Sequence, residues 1–477
     1  MAAIDPLASL NSLMASSSGG AAAAEAEEAV AELDQPHSLT NPVVVATGAT
    51  EWDKLGDVKQ AALVKATSLF GPTKMLGALA DVKVSRVISG PSASHTIALT
   101  DAGVFVWGKN HMGQLGLGDE MTRPGPVELT ALSGETIIHA AAGKGHSLFV
   151  TASGKLYACG CNKFGAVGPA PQKKKEFVSS PVQVAGVPYA VRCSAGADFS
   201  MVIDRSGSVW SFGWSEFGQL GMGTDGSYNT SASSVKMTFE AERNPSRVPG
   251  LSNVVQLVCG PHHTVALTSA GVCYTWGRGA YGTLGHDAGQ DDVWAPRQIQ
   301  NFLFRSINAG GMWCTGIGWR VYNGSSKPQG GGMLHMWGRI NPTKDSWMYP
   351  KPEYELQGWN ISALSCGNNH VALFADDSVI VWGTGCQFGE LGFGEGGPKS
   401  SAKPKQVDGL QGSVVGDVTC GVNHTVYIVE QSQLTDDLPE WVAPEPVPPE
   451  PKAEGKGKGK GKRAAPAAKG KAKKTKK

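Results

Sequence analysis

Five histidines recur in one sequence context along the 477-residue chain: His95, His146, His263, His370 and His424. They are the first residues here whose type and spacing suggest chemistry. Imidazole titrates near neutral pH and ligates divalent metals, so a ring of them could serve acid–base work or hold an ion. Their position points elsewhere. Each follows a glycine by a few residues, opens an apolar run, and precedes Ser, Thr or Val (His95-Thr96, His146-Ser147, His263-Thr264, His370-Val371, His424-Thr425). Phe199 and Trp313 hold the same place in two further copies. A place that accepts an apolar ring is built for packing, with a repeated hydrogen bond to a neighbouring turn where the residue is histidine. All five are therefore read as structural.

The other candidates are weaker. GRGAYG (277–282) has the spacing of a dinucleotide-binding loop, but a polar loop follows where the motif requires a helix to hold the pyrophosphate. The nine cysteines are scattered, without a C-x-x-C pair, and Cys193, Cys259, Cys366 and Cys420 end strand-like runs. They read as small buried hydrophobes in a reducing compartment. No ligand cluster has metal-binding spacing, and no triad or paired carboxylates stand out, so the expectation is no metal, no cofactor and no covalent catalysis. The sequons at Asn229, Asn323, Asn360 and Asn423 lack a secretory signal before them.

The elements that position these residues form a repeat. Aligned on the glycine before each histidine or its substitute, the copies start at Gly90, Gly143, Gly196, Gly260, Gly310, Gly367 and Gly421, with intervals of 50 to 64 residues. Within a copy the phrase is Gly-x-x-His-Thr, an apolar strand, a short turn (DAG, ASG, RSG, SAG), a second strand ending in Trp-Gly, then Gly-x-Leu-Gly. The turns are hairpin signals. Strands such as VFVW are apolar at every position, which means both faces are covered. Seven such units of about 50 residues predict an all-β, seven-bladed propeller. Trp107, Trp276, Trp337 and Trp382, with Cys159 and Phe212, are expected to fill the wedges between blades. The glycine of Trp-Gly is expected to permit a bulge or close packing. Those of Gly-x-Leu-Gly are expected to take positive φ around a leucine that turns back into its own blade. The last copy stops at Glu430 without its Trp-Gly half, and VVVATGATEWDKLG (43–56) carries the missing half. Pairing the N-terminal strand with the last blade would close the ring and remove its edges.

Composition divides the rest. Residues 1–42 form an acidic, Ala-rich arm, 43–431 the propeller, and 432–477 a Pro-rich and then Lys-rich tail; arm and tail are expected to be disordered. Residues 452–477 carry twelve Lys or Arg against one Glu in a chain of net charge +1. No apolar run reaches the ~18 residues of a membrane span, so no membrane partner is expected. A flexible insertion is expected at 320–333, in the fifth unit, which also lacks Gly-x-Leu-Gly.

The phrase Gly-x-x-His-[Ser/Thr]…Trp-Gly…Gly-Gln-Leu-Gly resembles the signature of the regulator of chromosome condensation family, over residues 43–430. Within that family the chain is most similar to the second, telophase-disc-type branch, through GATEWDKLG (48–56), FGP (70–72), MYPK (348–351), GW (358–359) and FGELGFGEGGPKSS (388–401). It departs from that branch in its acidic N-arm, its C-terminal basic run and its shorter insert after the third repeat (224–249). The resemblance implies a seven-bladed propeller that regulates a small GTPase of Rac, Ral or Ran type, with guanine-nucleotide exchange as its activity. Family position assigns partner contact to Lys144, Asp198, His262, Asn369 and Asn423, in the loops before the histidines. The tail residues Lys456, Lys458, Lys460, Lys462, Arg463, Lys469, Lys471, Lys473, Lys474, Lys476 and Lys477 resemble a linker-histone tail in composition. They suit phosphate neutralisation on DNA or a nuclear import signal. The expected setting is a monomer in the nucleus, extending to cytoplasm, spindle and mitotic chromosomes. The alternative is a scaffold without exchange activity, binding chromatin, microtubules or a passenger-type complex.

Overall fold

In the first blade the strands run Val84–Ile88, His95–Thr100, Val104–Gly108 and Arg123–Glu128, each antiparallel to the next. Five more four-stranded sheets repeat this order, their innermost strands starting at Ile137, Ala190, Val254, Phe302 and Ile361. The seventh takes Val415–Cys420 and His424–Glu430 from one end of the chain and Pro42–Gly48 and Leu69–Met75 from the other. Register runs unbroken from Pro42 opposite Glu430 to Gly48 opposite His424. The ring of seven blades is thus closed by the N-terminal strand, as its sequence pattern requires. These features come from a computed structural model that describes residues 39–52, 61–169, 176–229, 237–286, 290–321, 332–340, 346–434 and 437–444.

No blade has a core of its own. Each of seven apolar clusters takes residues from two adjacent blades, for example Leu99 and Leu115 of blade 1 with Phe149 and Cys159 of blade 2. The wedge residues Trp107, Cys159, Phe212, Trp276, Trp337 and Trp382 are all buried at these seams.

The turn after Trp-Gly differs from expectation in where its leucine goes. Leu115 leaves its own sheet and fills the seam with blade 2. Gly113 has φ of 72°, and a Cβ there would lie 2.6 Å from Ser179 Cα in the outer strand of blade 2. Five residues later, Gly118 N donates to Ser179 O at 2.8 Å. The glycines therefore serve the approach of the next blade. The expected irregularity at Trp-Gly is present: the ladder shifts register between Val106 and Gly108, and Gly108 has φ of 106°.

Every innermost strand carries a one-residue bulge five positions before its glycine, at Ser85, Ile138, Val191, Val255, Arg305, Ser362 and Gly416. Such a bulge re-aims the residue after it. Here that residue reaches the next blade. Asp417 Oδ2 accepts from Val87 N at 3.1 Å, and Gln256 exchanges two 3.0 Å bonds with the backbone of Ile307.

The tail begins later than composition suggests. Leu434 and Leu438 join the core, Glu440–Trp441 pairs in parallel with Lys74 and Met75, and Trp441 packs on the cluster between blades 7 and 1. Apolar residues embedded in a Pro- and Glu-rich stretch gave no periodic signal for this. The N-terminal arm through 38, the insertion at 322–331 and the lysines from Lys456 onward lie outside the described residues.

Candidate functional site

The pairing of His95 with Gly108 puts two sets of loops at one end of the ring. The Gly-x-x-His turns open there, and so do the longer connections that follow Trp-Gly. Among the described residues the opposite end carries tight hairpin turns and the links between blades, and the 320–333 insertion joins its strands at that end.

The histidines stand at the root of this face and are spent on the seams. His95 Nε2 meets Ser147 Oγ at 2.8 Å, His146 Nε2 meets Ser200 Oγ at 3.0 Å, His370 Nε2 meets Thr425 Oγ1 at 2.9 Å, and His424 Nε2 meets Thr96 Oγ1 at 2.9 Å. His263 Nε2 meets Cys314 Sγ at 3.2 Å. The partner is thus the residue beside the next blade's histidine position, on a strand where sequence reasoning placed a turn. The hydroxyls of Ser147, Ser200 and Thr425 donate onward to Gln114 O, Ala166 O and Glu390 O at 2.7, 2.7 and 2.8 Å. A hydroxyl has one proton, so it accepts from the imidazole, and Nε2 carries the hydrogen. Burial pushes all five rings down to a pKa of about 3 or 4, so they are neutral at physiological pH. Four of the rings, those of His146, His263, His370 and His424, also fold back over their repeat glycines: a Cβ on Gly143 would lie 2.4 Å from His146 Cε1. Among the described residues no group of three His, Cys, Asp or Glu side chains could hold a metal ion.

Of the loop residues, three come together. Lys144 is exposed on blade 2, while Asp198 on blade 3 and His262 on blade 4 are partly buried. Burial raises the Asp198 carboxyl above its ordinary range, against the pull of Lys144 and Lys163. Burial also lowers His262, reinforced by Arg278 and Lys144 and opposed by Glu216. The turns carrying them brace one another: Lys144 N donates to Gly196 O at 3.3 Å and Ala197 N to Pro261 O at 3.1 Å. Asn369 and Asn423 sit apart, on blades 6 and 7. Asn369 is exposed, and the Asn423 carbonyl accepts from Ala49 N.

Several side chains that repeat reasoning passed over complete the patch. Phe217 packs edge-on to His262 with ring centres 5.0 Å apart, and the Arg278 guanidinium lies 5.1 Å from the Phe217 ring. Trp214 Nε1 donates to Glu216 at 3.1 Å. Trp214 also packs between Phe164, tilted at 4.3 Å, and Phe239, edge-on at 5.9 Å. Phe239 belongs to a two-stranded hairpin, Ser227–Asn229 with Met237–Phe239, which rises from the blade 3 insert on this face and leaves Tyr228 exposed. These residues vary between copies, so only the rule that His faces Gly of Trp-Gly would have placed their loops beside the histidine turns.

A model of the RCC1-like domain matches residues 39–317, and one of the Regulator of chromosome condensation (RCC1) repeat matches residues 376–428. Protein RCC2 homolog of Danio rerio is 37% identical over 404 residues, which cover 80% of this chain and 79% of the relative. Protein RCC2 of Homo sapiens is 36% identical over 421 residues, covering 83% and 78%. Among solved structures, Prp20p from Saccharomyces cerevisiae superposes with a TM-score of 0.65 at 20% identity, over 84% of this chain and 94% of its own. That structure was described with the yeast protein's binding properties to Gsp1p and histones.

Proposed function

Since this chain belongs to the regulator of chromosome condensation family, and within it to the RCC2 type, we propose that it regulates a small GTPase of Rac, Ral or Ran type as a guanine-nucleotide exchange factor. The carrying observation is the run of Lys144, Asp198 and His262 on three successive blades, beside an exposed hairpin. It offers both charge signs, an imidazole and aromatic surface within one patch. Exchange requires no bond-making group. A face that binds the nucleotide-poor GTPase more tightly than the loaded one shifts the population toward release. The yeast relative Prp20p, described with binding to Gsp1p and histones, supports both the GTPase and a chromatin setting. The lysines and arginine of 456–477 would add sequence-independent contact with DNA in the nucleus.

The alternative, a scaffold that binds chromatin or microtubules without exchange, makes no demand on the patch. Release of labelled GDP from a panel of Rac-, Ral- and Ran-type GTPases separates the two. Acceleration on one member is the expected result, and none on any member leaves the scaffold.

A further inference from the structure

The innermost strands line the central channel, and neighbouring ones meet there through side chains. The residue four places before one repeat glycine reaches the backbone N–H three places before the next. Three steps around the ring are made that way. Asp417 Oδ2 accepts from Val87 N at 3.1 Å, Gln256 Oε1 from Ile307 N at 3.0 Å, and His139 Nδ1 from Cys193 N at 3.5 Å. Two steps carry short side chains, Ser306 before Leu364 and Ala363 before Val418. Val418 N turns to its own neighbour, Asp417 Oδ1, at 3.0 Å.

The remaining two steps carry arginine: Arg86 stands before Ala140, and Arg192 before Leu257. A guanidinium donates and never accepts. These steps therefore set a donor against a donor, where three others set an acceptor. Arg86 lies beside Asp417, whose carboxyl is raised by burial and pulled back by that arginine. The Arg192 step opens on a cavity of about 160 Å³ in the channel, with Arg192, Leu257, His139 and Gln256 in its wall. The wall also holds Ser89, Ser194, Ser365 and Asn308, three cysteines and small or apolar residues. Among the described residues Arg192 is its only charged member. Burial draws the Arg192 pKa down to about 10, as expected of a charge in poorly hydrated surroundings. Burial also pushes His139 down to about 3, so that ring is neutral; since Nδ1 accepts, its hydrogen is on Nε2.

We propose that this cavity binds a phosphate-type oxyanion, which accepts from the Arg192 guanidinium and from Leu257 N and so supplies the acceptor that Asp417, Gln256 and His139 supply at their own steps. The planar fork of a guanidinium suits two oxygens of one such anion. Backbone N–H and neutral imidazole N–H groups add donors without adding charge. The site stands whether or not the chain promotes nucleotide exchange.

The test follows the melting temperature of the full chain as sodium phosphate replaces sodium chloride at constant ionic strength. A saturable rise is expected, because an anion held by the folded chain alone stabilises it. Arg192→Gln copies the self-sufficient Gln256 step. It should melt no lower than the parent in chloride and need at least tenfold more phosphate for half the rise. Arg205→Gln, at an exposed arginine outside the cavity, should respond like the parent. Phosphate held by the lysine-rich tail would act alike on all three proteins. Glycerol phosphate, titrated in parallel, tells a free anion from the phosphate of an ester, and a response to either supports the site. Crystals of the parent grown with selenate need no variant: an anomalous peak should stand between Arg192 and Leu257 N. No saturable rise, an equal rise in Arg192→Gln, or a channel without selenate each overturns the proposal and leaves water at the step.

Discussion

His424 Nε2 lies 2.9 Å from Thr96 Oγ1, a bond that joins the last blade to the first across 328 residues of sequence. It is the closing member of the chain of imidazole bonds that runs from seam to seam. Blades 3 and 5 replace its histidine with Phe199 and Trp313, so an apolar seam is an alternative state of the same design.

That alternative predicts a non-additive pair. Thr96→Val leaves the buried His424 Nε2 without its hydrogen-bond partner and should destabilise the fold by about 1–3 kcal/mol. Adding His424→Phe removes the orphaned ring nitrogen and should restore most of the loss. Urea unfolding of the four variants measures the coupling. Additive losses would mean that the hydrogen bond is not what holds this seam.

The neutral histidines make the fold acid-sensitive. Their folded pKa values of about 3 to 4 lie below the ordinary 6.5, so the unfolded chain binds more protons between those limits. Their contribution is complete above 6.5 and drains as pH falls, at about 1.4 kcal/mol per pH unit for each ring. The urea midpoint should fall clearly from pH 7 to pH 5, and less so in His370→Phe. An unchanged midpoint would contradict buried neutral rings.

Glu390 works in the opposite direction. It occupies the place of Gln114 and Gln219, whose side chains accept from Met112 N and Phe217 N; Glu390 Oε2 accepts from Phe388 N at 2.9 Å. Burial raises its carboxyl from 4.5 to about 7. A raised pKa stabilises the fold in full below 4.5, and that contribution is lost as pH climbs through 7. Glu390→Gln should therefore gain up to about 3 kcal/mol over the parent at pH 8 relative to their difference at pH 4. Parallel stability profiles for the two proteins would refute the assignment.

At the loop face, Asp198→Ala and His262→Ala should each lower stimulated GDP release by about tenfold or more, the scale of a lost polar hot spot. Asn369→Ala, on the far side of the ring, should change it by less than about threefold. Melting temperatures control for folding. Equal effects at all three positions would move the contact away from blades 2 to 4.

Deleting 452–477 should weaken binding to duplex DNA and flatten its salt dependence. Up to about eleven phosphate contacts are available, so the slope of log K against log salt should fall by as much as about 10. An unaltered slope would leave the tail with import alone.

Repetition made most of this fold readable. One glycine, one ring and one Trp-Gly per copy count the blades, and the half-copy at 43–56 announces the closure because a strand without a partner is costly. What repetition hides is direction. Nothing in Gly-Gln-Leu-Gly states that Leu115 serves the neighbouring blade, since intra-blade and inter-blade burial select the same residue type. The bulge at Ser85 and its equivalents follows no single residue type, so it has no letter to read. The patch around His262 was half legible. Lys144 and Asp198 sit at a fixed offset within the repeat, whereas Phe217 and Arg278 lie in loops that the repeat leaves variable.

The closure of the ring also sets the timing of biosynthesis. Pro42–Gly48 leaves the ribosome before every other described strand and can pair with Leu69–Met75 early, yet the partner on its other edge ends at Glu430. At roughly 5–20 residues per second, that strand waits on the order of twenty to eighty seconds with an unpaired apolar edge. Blades 1 to 6 meanwhile accumulate seam by seam, each new one covering its predecessor. The nascent chain is thus an open arc with sticky ends until its final strands emerge, and that interval is when a chaperone has most to protect.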